Sequence, residues 1–200
     1  MVWATKRTLE AIIMKVEPIR NPKDIKKIKK LLESQGKLRD LAIFVTGINS
    51  GLRSGDLLAL RVGQVDGVAV GERVILTEHK TGKQNIFLIN EAIRSALDKY
   101  LATRPDRKPE EYLFLSRKYR NQPLSVYALT HYLQSWCDQI GLKINAGSVT
   151  MRKTWCYQMR QQGVPWEILA LRLNHSSPSV TRHYMAVQDE EVERILLTCV

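Results

Sequence analysis

Five separated side chains in this 200-residue sequence are of the types that act on a phosphodiester. Arg53 lies in Gly51-Leu52-Arg53-Ser54-Gly55-Asp56-Leu57, just ahead of a predicted helix. Lys80 opens Lys80-Thr81-Gly82-Lys83, and Arg152 sits in Val149-Thr150-Met151-Arg152-Lys153-Thr154-Trp155. His175 falls in Leu173-Asn174-His175-Ser176-Ser177, and Tyr184 ends Thr181-Arg182-His183-Tyr184. Guanidinium forks bind nonbridging phosphate oxygens and stabilise the extra charge of a pentavalent transition state. A phenol can attack phosphorus, and a cation can protonate the departing alkoxide. That chemistry needs neither a metal nor a cofactor, so none is expected. Each position alone also has a plainer reading: an exposed arginine, a lysine keeping a turn soluble, a charge beside a core tryptophan, a tyrosine at a core rim. Thr81-Gly82-Lys83 is not a phosphate-binding loop, because the upstream glycine that motif requires is missing. Neither a Gly-X-Ser-X-Gly elbow nor a Gly-X-Gly-X-X-Gly fingerprint occurs.

The elements that must hold these residues are mostly helical. Asn21-Pro22 opens a helix with a capping side chain and a proline suited to the first position. Ile25, Ile28, Leu31 and Leu32 recur at helical spacing opposite lysines 26, 27, 29 and 30, and Gly36 stops the run. A second helix spans about Leu38–Ile48, and Ser54 is the expected cap for Gly55–Leu60. Two β-rich runs, Arg73–Thr77 and Asn85–Ile89, flank the Lys80 segment as a hairpin, with Val68–Val70 as a third strand. Helical patterns follow over Asn90–Leu101, Ser125–Ile140, Ser148–Gln162, Pro165–Asn174 and Pro178–Val187. The tail is expected to form one more short helix, with Val192, Ile195 and Leu196 on one side. The fold class expected is mainly α with a small three-stranded antiparallel sheet.

Composition narrows the setting. With 44% hydrophobic and 26% charged residues, the chain is globular rather than disordered. The longest apolar stretch, Leu41–Val45, falls far short of the roughly 20 residues a membrane helix needs. Met1–Leu9 is interrupted by Thr5, Lys6 and Arg7, unlike a signal peptide. Cys137, Cys156 and Cys199 have neither the number nor the spacing of a disulfide framework or a zinc site. The formal net charge is +11, with +6 in residues 1–40 and −3 in residues 186–200, leaving a cationic body. Such a body attracts polyanions by releasing counterions, so nucleic acid is the first partner to expect.

The order of the motifs resembles the catalytic domain of the tyrosine recombinase (phage integrase) family, across about residues 20–190. Gly-Leu-Arg-Ser-Gly-Asp-Leu-Leu-Ala-Leu is similar to its first box, which makes Arg53 the first catalytic arginine and Asp56 its supporting acid. The lysine of the family's β-hairpin falls on Lys80, and Met-Arg-Lys-Thr-Trp places the second arginine at Arg152. Leu-Asn-His-Ser-Ser gives His175, and Thr-Arg-His-Tyr gives the nucleophile, Tyr184. Lys83 and Lys153 join Arg53, Lys80 and Arg152 as expected DNA contacts. The resemblance implies an N-terminal arm over 1–20, a catalytic domain over 21–187 and a tail helix over 188–200. It also implies site-specific cleavage and rejoining of double-stranded DNA through a 3′-phosphotyrosyl intermediate, with four protomers in the synapse and a cytoplasmic, nucleoid-associated location. About 20 residues precede the first helix, too few for the core-binding domain of larger members. The expectation is therefore a small stand-alone member or a catalytic fragment.

Two positions depart from the family pattern. The histidine usual three residues before the second arginine is Val149, which cannot accept a proton, and Asn174 replaces a glycine. The expectation is an enzyme slowed by a missing base, with His175 or water taking the Tyr184 proton. The alternative is a noncatalytic DNA-binding or regulatory module retaining the fold. A topoisomerase-like relaxing enzyme and a helical adaptor that binds no DNA complete the readings.

Overall fold

Asn21 and Pro22 open the first helix as their chemistry dictates. In the computed structural model, which describes residues 16–118 and 121–185, α1 runs Pro22–Ser34 and the Asn21 side chain accepts from the Lys23 amide at 2.9 Å. Ile28 and Leu32 are buried while lysines 26, 27 and 30 stay exposed, the division the spacing predicts. Gly36 then takes a left-handed turn (φ +62°). The Lys37 amide reaches back to the Leu32 carbonyl at 2.9 Å, which satisfies the orphan groups of the helix end.

The next helix, α2 (Leu38–Ser50), is buried along most of its length. Phe44 meets Trp136 edge-on at 6.0 Å between ring centres, and a core of aliphatic side chains from α2, α4 (Glu91–Leu101) and α5 (Val126–Gln139) surrounds it. Arg39 and Asp40 are buried as a pair, with Arg39 also donating to the Leu115 carbonyl at 2.7 Å. A buried charge needs partners of this kind to be tolerated.

Among the described residues the sheet has two strands rather than the three expected. β1 (Arg73–Thr77) pairs antiparallel with β2 (Gln84–Leu88), with Thr77 opposite Gln84 at the turn end. Val68–Val70 does not join because side chains take its backbone groups. The Val68 carbonyl accepts from Arg94 at 3.1 Å, and the Ala69 amide donates to the Glu72 carboxylate at 2.8 Å. A short α3 (Ser54–Leu58) precedes the sheet.

The chain divides into two compact units, Met1–Trp155 and Cys156–Val200, where the sequence reading placed one domain over 21–187. The helix α6 (Thr150–Gln161) carries the end of the first unit and the start of the second. In the second unit, α7 (Trp166–Arg172) packs on α8 (Pro178–Met185), and Arg160 lies over the Trp166 ring at 5.2 Å. Residues 1–15 of the expected arm and the expected tail helix over 188–200 lie outside the described residues. No helix among the described residues is long and apolar enough to cross a membrane.

Candidate active site

Arg53 stands immediately before α3, its backbone extended at the N-cap position. Ser54, expected to cap, is instead the first helical residue, and the helix ends at Leu58. The Ser54 hydroxyl donates to the Ser148 carbonyl, tying the Arg53 loop to the segment leading into α6. Gly51 ends α2 in the left-handed region (φ +64°), where glycine carries no steric penalty. Its carbonyl accepts from Arg152 Nη1 at 2.8 Å. The first turn of α6 thus delivers its arginine, 3% exposed, against the loop that carries Arg53 two residues later.

The hairpin is fastened to the same loop by two carboxylates. Asp56 Oδ1 accepts from the His79 amide at 2.9 Å, so the acid expected to support Arg53 binds hairpin backbone instead. The carboxylate paired with the Arg53 guanidinium is Glu78, whose side chain is fully buried while that of Arg53 is 24% exposed. Glu78 also accepts from Thr81 Oγ1 at 2.7 Å and from Asn85 Nδ2 at 2.6 Å. The turn is closed by the Glu78 amide donating to the Lys83 carbonyl and the Gly82 amide donating to the Glu78 carbonyl, both at 2.9 Å. Lys80 and Lys83 ride exposed on this braced turn, and the Lys80 ammonium has no partner among the described residues.

Sequence reasoning missed Glu78, although the signal was present. It continues the inward face of β1 two residues beyond Leu76 and four beyond Val74, where alternation puts side chains inside. An acid on that face requires a buried cation, and Arg53 supplies it.

Lys153 needs correction as an expected DNA contact. It is 4% exposed and donates through Nζ to the Val16 carbonyl at 2.9 Å. Residues 16–19 clasp this turn of α6: Thr150 donates to the Glu17 carbonyl at 2.9 Å, and the Ile19 amide donates to Thr154 at 2.8 Å. Val149 is partly exposed, and its carbonyl accepts from the Lys153 amide at 2.9 Å.

In the second unit the remaining two residues come together. Asn174 is left-handed (φ +49°) just past α7. The His175 amide reaches the Ala170 carbonyl at 3.0 Å and the Asn174 amide the Leu171 carbonyl at 3.1 Å. This helix ending explains the departure from glycine, since asparagine is the next most tolerant residue there. It sets His175 at a fixed point, edge-on to the Tyr184 ring with 5.2 Å between ring centres. The buried Thr181 hydroxyl lies 2.9 Å from His175 Nδ1. When Thr181 donates there, the imidazole proton resides on Nε2, making that nitrogen the donor. Among the described residues no group of three or more His, Cys, Asp or Glu could hold a metal ion.

The phage integrase family profile matches residues 21–191. A probable integrase/recombinase of Bacillus subtilis, YoeC, is 36% identical over 179 residues, covering 90% of this chain and 93% of its own. The tyrosine recombinase XerA of Pyrococcus horikoshii is 25% identical over 197 residues, covering 94% of this chain and 67% of its own. Among solved structures, the crystal structure of XerA recombinase superposes with a TM-score of 0.72 at 18% identity over 91% of this chain. The site-specific recombinase XerH, bound to palindromic difH substrate after cleavage, gives 0.71 at 16% identity over 88%. This chain spans 63% and 51% of those two chains. With the match running from the cap of α1 to beyond Tyr184, the chain belongs to the phage integrase family, the tyrosine recombinases.

Proposed function

We propose that the chain cleaves and rejoins double-stranded DNA through a 3′-phosphotyrosyl intermediate. The observation that carries this reading is the hydrogen bond from Arg152 to the Gly51 carbonyl, which sets the two arginine-bearing segments side by side. Arg53 and Arg152 hold the nonbridging oxygens of the scissile phosphate, and His175 adds a hydrogen bond through Nε2. The Tyr184 oxygen attacks phosphorus and the bond to the 5′-oxygen breaks. The phenolic proton passes to water, since His175 donates through Nε2 and its Nδ1 is engaged by Thr181, and Lys80 protonates the leaving 5′-oxygen. The phosphotyrosine conserves the energy of the broken bond, so a 5′-hydroxyl from a second duplex reverses the step. Four protomers on two duplexes accomplish exchange of both strands. Val149 offers no base, which lowers the rate by about 10²–10⁴-fold relative to a site with one.

Family membership and the fold shared with recombinases solved on DNA support the reading. The test is covalent capture in EDTA with fragmented DNA from the source genome, using wild-type protein and Tyr184→Phe. A site-specific adduct absent from the Phe variant is expected. Binding without adduct from wild-type protein would instead favour a noncatalytic DNA-binding module.

A further inference from the structure

We infer that Glu78 is a positioning residue that couples the orientation of Arg53 to the placement of Lys80. The inference rests on the proposed phosphodiester chemistry and adds to it a residue that touches neither DNA nor the reacting atoms. One fully buried carboxylate holds three things at once. Its Oε2 pairs with Arg53 Nη1 and accepts from Thr81, and its Oε1 accepts from Asn85 on the opposite strand. Thr81 follows Lys80 directly, so the turn bearing the proposed general acid is fixed through the same group that fixes the arginine.

The pairing leaves the arginine usable. Glu78 makes its closest approach at Nη1, the nitrogen outside the edge formed by Nε and Nη2, and the Arg53 side chain keeps 24% of its surface exposed. That edge is one of the two forks through which guanidinium grips a phosphate in a bidentate manner. A carboxylate on the other side therefore orients the fork without occupying it. Because the side chain of Glu78 is buried, its charge has no solvent to fall back on, and the link persists while Arg53 is present. Asp56, in the first turn of α3, holds the same turn by accepting from the His79 amide.

Two measurements test the coupling. Amide hydrogen exchange over residues 77–85 reads the turn without DNA. Glu78→Gln is expected to accelerate exchange there by at least ~10-fold, and Arg53→Met to do the same because it removes the other end of the link. Acceleration in Glu78→Gln but not in Arg53→Met would overturn the coupling, as would unchanged exchange in both. The second measurement is the adduct rate on the duplex recovered by covalent capture, with an ordinary scissile phosphate and with a 5′-bridging phosphorothiolate. The thiolate leaves without a proton, so a defect in Lys80 placement disappears on it while a defect in Arg53 orientation remains. Glu78→Gln is expected to slow the ordinary substrate ~100-fold, the scale of a misplaced catalytic group, and the sulfur substrate only ~10-fold. Equal losses on both substrates would mark a merely structural role and refute the inference. Glu78→Asp, which keeps the charge one methylene short, should fall between wild type and Gln. Wild-type protein that captures no DNA would sink the phosphodiester reading, while the exchange data would still decide whether Glu78 links Arg53 to the turn.

Discussion

Gly51→Ala probes the junction on which both arginines depend. The backbone there has φ +64°, and an added Cβ would lie 2.9 Å from Trp155 Cε3 and 3.0 Å from Cδ2, inside the body of the indole. The left-handed conformation costs a non-glycine residue about 1–2 kcal/mol. Forcing a methyl against a ring that has no flexible end to swing away adds about 1–3 kcal/mol. The sum is about 2–5 kcal/mol. Gly36→Ala provides the control, because its φ is +62° and nothing lies within 4 Å of the added methyl. It should lose only the conformational part, about 1–2 kcal/mol. Urea denaturation followed by tryptophan fluorescence separates the two. With a slope of about 2 kcal/mol per molar, Gly51→Ala should lower the midpoint by about 1–2.5 M and Gly36→Ala by about 0.5–1 M. Equal shifts would refute the claim that Trp155 closes on this turn.

The second unit yields a test of His175 placement: Asn174→Ala should lose about 1 kcal/mol and slow adduct formation, whereas Asn174→Gly keeps both. Equal adduct rates for Ala and Gly would show that the left-handed turn does not set the histidine. Burial pushes the Cys137 thiol up to about 12 from its ordinary value of 9.0, reinforced by Asp138 and Asp24. Its folded form holds the proton longer than the unfolded chain does. The contribution to stability is therefore complete below about pH 9 and is lost as the pH climbs from 9 towards 12. Iodoacetamide at pH 8 should leave Cys137 unlabelled in native protein and modify it in urea, read by peptide mass spectrometry. Val149→His restores a proton acceptor three residues before Arg152 and should raise the adduct rate ~100-fold. No gain would remove the missing base as the cause of slow cleavage.

The helices were legible because their signals are local. Asn21-Pro22, Gly36 and the apolar spacing of α1 act within a few residues of one another, and the structure uses each as written. The order of Arg53, Lys80, Arg152, His175 and Tyr184 along the chain was enough to recognise the family. What stayed hidden depends on partners far apart in sequence. Lys153 looked like a surface cation until the clasp by residues 16–19, more than 130 positions away, covered it. Ser54 reads as a cap locally, but its hydroxyl is taken by the Ser148 carbonyl, 94 positions on. The third strand was lost to the Arg94 and Glu72 side chains, which strand propensity does not weigh. Glu78 required knowing that the strand's inward face meets Arg53.

Tyr184 is the residue proposed to form the covalent bond to DNA. The most direct test of that role is to denature the captured complex, digest it with nuclease and trypsin, and locate the nucleotide remnant by tandem mass spectrometry. A 3′-phosphoryl remnant on Tyr184 alone is expected. A remnant on another residue, or capture that persists undiminished in Tyr184→Phe, would contradict it.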